Sequence, residues 1–140
     1  GRRVTASGMK LSMMIILGLA GAEGSERHAL ATAKAINIIK PTHLSALCLM
    51  LYRGSELLDQ YEAGKFNPLS PAGLMRELKL IIENIDLPAD RHCLFRSNHV
   101  SNYVQLAATL PHDKQRLLRD IDYSIAQLSK LKSWDVYNHN

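Results

Sequence analysis

The densest run of side chains able to do chemistry lies between Arg96 and Tyr103. Arg96, Ser97, Asn98, His99, Ser101, Asn102 and Tyr103 all fall in the stretch FRSNHVSNY. An arginine grips a carboxylate or phosphate through paired N–H donors. A histidine hydrogen-bonds or moves a proton near neutral pH. Polar clusters at strand ends are typical substrate contacts. Arg96, Ser97, Asn98, His99 and Asn102 are therefore candidate substrate-binding residues. The plainer reading is a hydrogen-bonded loop that caps the domain.

Two more stretches qualify by their composition. Ile16–Gly24 (ILGLAGAEG) has Gly18, Gly21 and Gly24 in a turn ahead of a helix that Ser25 can cap. Glycines let a backbone turn sharply and approach a ligand, and a helix start carries free N–H groups and partial positive charge. The spacing is neither GxGxxG nor a P-loop, so a plain packing turn competes with a binding turn. Met50–Leu57 (MLYRGSEL) offers Arg53 for an anion, Gly54 for a turn and Ser55 as a helix cap. His28, His43, His92, His112 and His139 are scattered, without metal-ligand spacing. They read as surface or capping residues, and no metal site is expected. No GxSxG elbow is present.

Each of these stretches follows an apolar run. Lys10–Leu17 (KLSMMIIL), Leu44–Tyr52 (LSALCLMLY) and Cys93–Arg96 (CLFR) read as buried strands. Gly1–Ser7 reads as the end of a helix stopped by Gly8. A helix from Ser25, with Leu30, Ala33 and Ile36 on one face, closes before Pro41. Gly54–Ala63 is a short helical piece. Ser70-Pro71 starts a helix with the stripe Leu74, Leu78, Ile81, Ile82 and Ile85. A last helix after Pro111 carries Leu117, Leu118, Ile121, Ile125 and Leu128, and 129–140 reads as a tail docked by Trp134 and Tyr137.

Strand and helix alternate, which predicts an α/β fold with a parallel sheet of βα units. In such folds ligands gather at the carboxyl ends of strands, where all three stretches lie. The 140 residues read as one domain, shorter than the ~200–250 residues of a complete β/α barrel. The first and last strands should leave sheet edges open to a partner, a homodimer being one solution. The net charge of +4 is spread along the chain and does not by itself indicate nucleic acid. Met9–Gly24 has the look of a secretory signal, but its apolar run is too short to span a bilayer. Cys48 and Cys93 sit in apolar runs without CxxC spacing, which predicts free buried thiols and a cytoplasmic setting.

Met14–Gly21 (MIILGLAG) resembles the fifth-strand motif of radical-SAM enzymes, GxIxGxxE, with Ile16 and Gly18 matching. Met14 replaces the first glycine, and Gly21 replaces the acid, with Glu23 close by. Gly54, Ser55 and Leu57 resemble the sixth-strand GTPL ending, with Glu56 in place of proline. The leucine-rich helix after LSP, FRSNHVSNY and TLPHDK together resemble the carboxyl-terminal part of bacterial radical-SAM proteins. These are the elongator-subunit-like or coproporphyrinogen-oxidase-like Fe–S oxidoreductases, and the likeness runs from about Lys10 to Leu128.

The resemblance implies a partial TIM-type barrel. It also implies a full-length parent holding S-adenosylmethionine and a 4Fe–4S cluster. Ile16, Gly18, Leu19, Gly21, Leu51 and Tyr52 would then line the cofactor, and the Arg96–Asn102 residues the substrate. The family's CxxxCxxC is absent from this chain. The expectation is thus a carboxyl-terminal fragment that works only with the missing amino-terminal part of the barrel, holds no tightly bound cofactor and is inactive alone. Two other readings stand beside it. One is a non-catalytic α/β binding or assembly domain that completes its sheet with another chain. The other is a half-barrel enzyme using Arg96 and His99 on an anionic metabolite.

Overall fold

The computed structural model describes residues 1–130. The expected docking of Trp134 and Tyr137 lies outside the described residues. The element order is α1 (Arg2–Ala6), β1 (Ser12–Leu17), α2 (Gly21–Ile39), β2 (His43–Cys48), α3 (Glu56–Glu62), α4 (Pro71–Glu83), β3 (Cys93–Ser97), β4 (Leu106–Leu110) and α5 (Lys114–Leu128). The sheet runs β1-β2-β3-β4, in sequence order. β1, β2 and β3 are mutually parallel, and β4 returns antiparallel to β3.

The fold is therefore α/β with a mostly parallel open sheet, and the wholly parallel sheet of the sequence reading is corrected at its last strand. Leu106–Leu110 (LAATL) was not expected as a strand, since alanine is a weak strand former. Its alternation is nonetheless clean, with Leu106, Ala108 and Leu110 buried. The link from β3 to β4 contains no helix. A parallel return needs a crossover of about a dozen residues or more, so this short loop forces the antiparallel pairing.

Burial alternates along every strand. Ile15, Leu17, Leu44, Ala46, Cys48, Cys93, Phe95, Leu106, Ala108 and Leu110 face the helices and are buried. Leu74, Met75, Leu78, Ile81 and Ile82 of α4 fill the centre of that layer, with α2 and α5 packed on either side of α4. Among the described residues the opposite sheet face is bare, and Met14 is 71% exposed there.

Local signals explain most boundaries. Ser70 caps α4 by accepting from the Gly73 N–H at 3.1 Å, ahead of Pro71. Ser55 caps α3 through the Leu58 N–H. Three expectations shift. Helix α2 starts at Gly21, so Ser25 lies inside the helix and is not its cap. Ala29 replaces Leu30 on its buried face. The second strand stops at Cys48 and leaves Leu49–Tyr52 as a loop. No helix of the described residues is long and apolar enough to cross a membrane. The Met9–Gly24 run forms β1, its turn and the first turn of α2.

The two sheet edges differ. On β4, the Thr109 N–H donates to Asp113 Oδ2 at 2.8 Å, and Arg116 donates to the Ala107 carbonyl at 3.0 Å. Asp113 and Arg116 also pair with each other at 3.3 Å. Side chains of the α5 start thus occupy main-chain groups that a further strand would need, a recognised way of blunting an edge.

The Thr109 N–H, helped by Arg116, holds the Asp113 carboxyl below its usual value of 3.8. A folded pKa below the unfolded one contributes stability above the unfolded value, and that contribution is lost as pH falls through the folded value. Asp113→Asn should therefore lower the urea midpoint at neutral pH, and the gap to wild type should close as pH falls below 3.8. Urea melts across the acid range check this.

Candidate functional site

The site is built on Glu77, which the sequence reading passed over. Glu77 sits inside α4 and is 2% exposed. Its Oε1 accepts from the Gly18 N–H at 2.9 Å and lies 3.1 Å from His28 Nδ1. Its Oε2 accepts from the Ser25 hydroxyl. A buried carboxylate is tolerated only when its lone pairs are filled, and here β1's end and two turns of α2 fill them. A signal was present in the sequence: Glu77 stands at i+3 from Leu74 and i−4 from Ile81, on the apolar stripe. The same contact places His28, read as a surface residue, against α4.

Gly18 has φ +82°, the left-handed region that glycine tolerates, and a Cβ there would come within 2.7 Å of Leu74 Cδ2. Gly21 has φ +67°, and a Cβ there would lie 3.1 Å from the Asn67 carbonyl. Both glycines are turned toward the helix layer and its connecting loop. Leu19, 49% exposed, forms the crest of the turn.

The second support is Asn102. Its Oδ1 accepts from the Cys48 N–H at 2.8 Å. Its Nδ2 donates to the Ala46 carbonyl at 2.8 Å and to Ser97 Oγ at 2.9 Å. Regular β2–β3 pairing ends at Ser45 and Arg96. Asn102 thus acts as a side-chain rung that extends the ladder to the end of β2. Ser101 Oγ also accepts from the Cys48 N–H, at 3.2 Å, and lies 2.8 Å from His99 Nδ1.

These supports bring some predicted residues together. Ile16, Tyr52 and His99 line one open depression of about 200 Å³, with Leu47, Cys48, Leu49, Met50 and Ser101. It lies at the carboxyl ends of β1 and β2, where ligands gather in parallel sheets. The Tyr52 hydroxyl donates to Met50 Sδ at 3.2 Å. The other predicted residues stand outside the depression. Leu51 is half-buried beside it. Ser97 is fully buried, with its hydroxyl in the Asn102 network. Asn98 is exposed at the loop's start. Arg96 projects from the bare face of β3 and donates to the Phe95 carbonyl at 2.7 Å. Ser97 and Asn102 therefore position the loop, whereas His99 lines the depression.

Cys48 and Cys93 are free and buried. Burial pushes both thiols up to about 11, and the Glu77 carboxylate adds to the rise at Cys48. A thiol in that state is neither a nucleophile nor a ready metal ligand at neutral pH. No group of three or more His, Cys, Asp or Glu among the described residues is placed to hold a metal ion. Comparison of the chain with family models, with curated proteins and with solved structures gave no match.

Two outcomes are expected. Glu77→Ala strands the Gly18 N–H, the Ser25 hydroxyl and His28, and should cost about 3 kcal/mol in urea unfolding, with Glu77→Gln costing less. For the thiols, the folded value of about 11 exceeds the ordinary 9.0, so the neutral form is favoured in the fold. Their contribution is present below pH 9.0 and lost as pH rises toward 11. A disulfide-exchange reagent at pH 8 should label both cysteines slowly in buffer and rapidly in denaturing urea.

Proposed function

We propose that this chain is the carboxyl-terminal part of a radical-SAM β/α barrel, walling the S-adenosylmethionine and substrate sites and inactive without the amino-terminal part. The observation that carries this reading is the bare sheet face ending in the depression at Ile16, Tyr52 and His99. Strand order supports it too. In doubly wound sheets the order reverses and helices cover both faces. Here β1, β2 and β3 advance in one direction, with α2 and α4 on one face. A barrel wall has that form, with helices outside and the other face turned inward. The antiparallel β4 departs from a regular barrel and stands at the sealed edge.

The residues fit the two implied groups unequally. A 4Fe–4S cluster takes three or four cysteine thiolates, and this chain has only Cys48 and Cys93, both buried. They do not fit the cluster, which belongs to the rest of the barrel in this reading. S-adenosylmethionine would supply an adenine ring and, when cleaved, a radical that abstracts hydrogen. Ile16, Leu47, Met50 and Tyr52 offer the apolar surface that one face of such a ring needs. Gly18, Leu19 and Gly21 shape the turn beside it, and Leu51 backs the loop. Arg96, on the bare face, would meet an anionic substrate group. The setting in this reading is cytoplasmic.

A second reading has specific support. β1 is an edge strand with Met14 and Ile16 exposed, whereas β4 is sealed by Asp113 and Arg116. A non-catalytic assembly domain would pair through β1 alone. A concentration-dependent dimer in sedimentation equilibrium, lost in Met14→Lys, is the outcome for that reading.

The coding region upstream of Gly1 tests the main one. A CxxxCxxC within a βα pattern is expected there, and its absence removes the radical-SAM assignment. With the long chain reconstituted with iron and sulfide, Ile16→Glu should lower 5′-deoxyadenosine formation at least about tenfold, through loss of the apolar wall.

A further inference from the structure

We propose that His99 is locked in one tautomer, with its proton on Nε2, and selects ligands that present a hydrogen-bond acceptor. This rests on the reading of the depression as a ligand site. The argument starts at Nδ1. The main-chain N–H of Ser101 donates to His99 Nδ1 at 3.2 Å. A backbone N–H can only donate, so Nδ1 must be the acceptor.

The Ser101 hydroxyl agrees. Its oxygen accepts from the Cys48 N–H at 3.2 Å. Its proton then has two possible acceptors, His99 Nδ1 at 2.8 Å and Asn102 Oδ1 at 3.3 Å. The shorter contact sends it to Nδ1. Both Ser101 donors, the main-chain N–H and the hydroxyl, therefore address Nδ1. In a neutral imidazole one nitrogen donates and the other accepts. With Nδ1 accepting, Nε2 carries the proton.

The chemical consequence is directional. His99 lines the depression with Ile16, Leu47, Met50 and Tyr52. A neutral ring with its proton on Nε2 donates from that atom and cannot act as a base there. Its complement is a carbonyl, carboxylate or unprotonated ring nitrogen adjoining an apolar face. Asn102 is the positioning residue. By joining Ala46, Cys48 and Ser97 it holds Ser101 against the end of β2.

The first test is a two-bond proton–nitrogen correlation on the chain with 15N-labelled histidine at pH 8.5, above the ordinary histidine range near ~6.5. His99→Gln, at an exposed position, assigns the resonances. The expected pattern has Nδ1 in the unprotonated range and Nε2 in the protonated range, retained in Ser101→Ala because the N–H remains. An Nδ1-protonated or averaged pattern in the wild type overturns the proposal. The second test titrates two neutral probes, acetophenone (an acceptor) and aniline (chiefly a donor). Acetophenone should shift the His99 signal with about five- to tenfold higher affinity, the size of one net hydrogen bond, and the preference should vanish in His99→Phe. Equal affinities, a preference for aniline, or no shift with either probe overturns the selection. Absence of the upstream cysteine triad would remove the radical-SAM reading and leave both of these results standing.

Discussion

One buried carboxylate ties the end of β1 to α2 and α4 in this fold. Glu77 reaches from the middle of α4 to the Gly18 N–H at the end of β1 and to Ser25 and His28 on α2. Taking a carboxylate out of water costs several kcal/mol unless its oxygens are filled. The observed placement of the β1–α2 turn fills them, and that favours this placement. Its consequences spread outward. Gly18 must take a left-handed conformation, its missing Cβ makes room for Leu74, and α2 must begin early enough for Ser25 and His28 to face α4. Ile16, two residues before Gly18, is thereby fixed on the opposite face of the sheet, in the wall of the depression.

The other side of the depression is fixed by a different device. Where the β2–β3 ladder ends, Asn102 supplies the acceptor and donor that a continuing strand would have supplied. Unpaired buried main-chain groups are costly, so this amide allows β3 to leave the sheet early without stranding the end of β2. The loop it releases is short and polar, contains His99, and turns the chain back into β4. The same loop thus carries a candidate ligand contact and sets the antiparallel return. A longer crossover with a helix would have kept the sheet parallel and removed both.

What the sequence made legible follows from how local each signal is. The helix from Ser70-Pro71 with its stripe Leu74–Ile82, the stop at Gly8 and the cap at Ser55 are encoded within a few residues, and the structure has them, with Ile85 lying just past the helix end at Glu83. β4 was hidden because Ala107 and Ala108 carry little strand preference, and its pairing depends on β3. Ser25 resembles a cap and predicts a later start for α2 than Gly21. Its hydroxyl instead answers Glu77, far along the chain. The strand-end stretches were legible as places, through glycine and polar clustering. Their division of labour was not. Which of Ser97, His99 and Asn102 supports the loop and which lines the depression is decided by main-chain partners on β2.

The unclad face of the sheet has a gradient. Its exposed side chains are Ser12, Met14 and Ile16 on β1, His43 on β2, Leu94 and Arg96 on β3, and Ala107 on β4. A sheet that keeps one face in water alternates apolar-in with polar-out. The β4 side is small and polar-tolerant, with Arg116 and Asp113 closing its edge. The β1 side departs from the rule, since Met14 is 71% and Ile16 42% exposed. Fully burying a side chain of this kind is worth about 1.5–3 kcal/mol, a gain the isolated sheet forgoes at each position. The deficit is concentrated beside the unsealed edge and next to the depression. A strand added at β1 would pair that edge and flank Met14 and Ile16 along the sheet, whereas covering their exposed tips takes a layer over the unclad face itself.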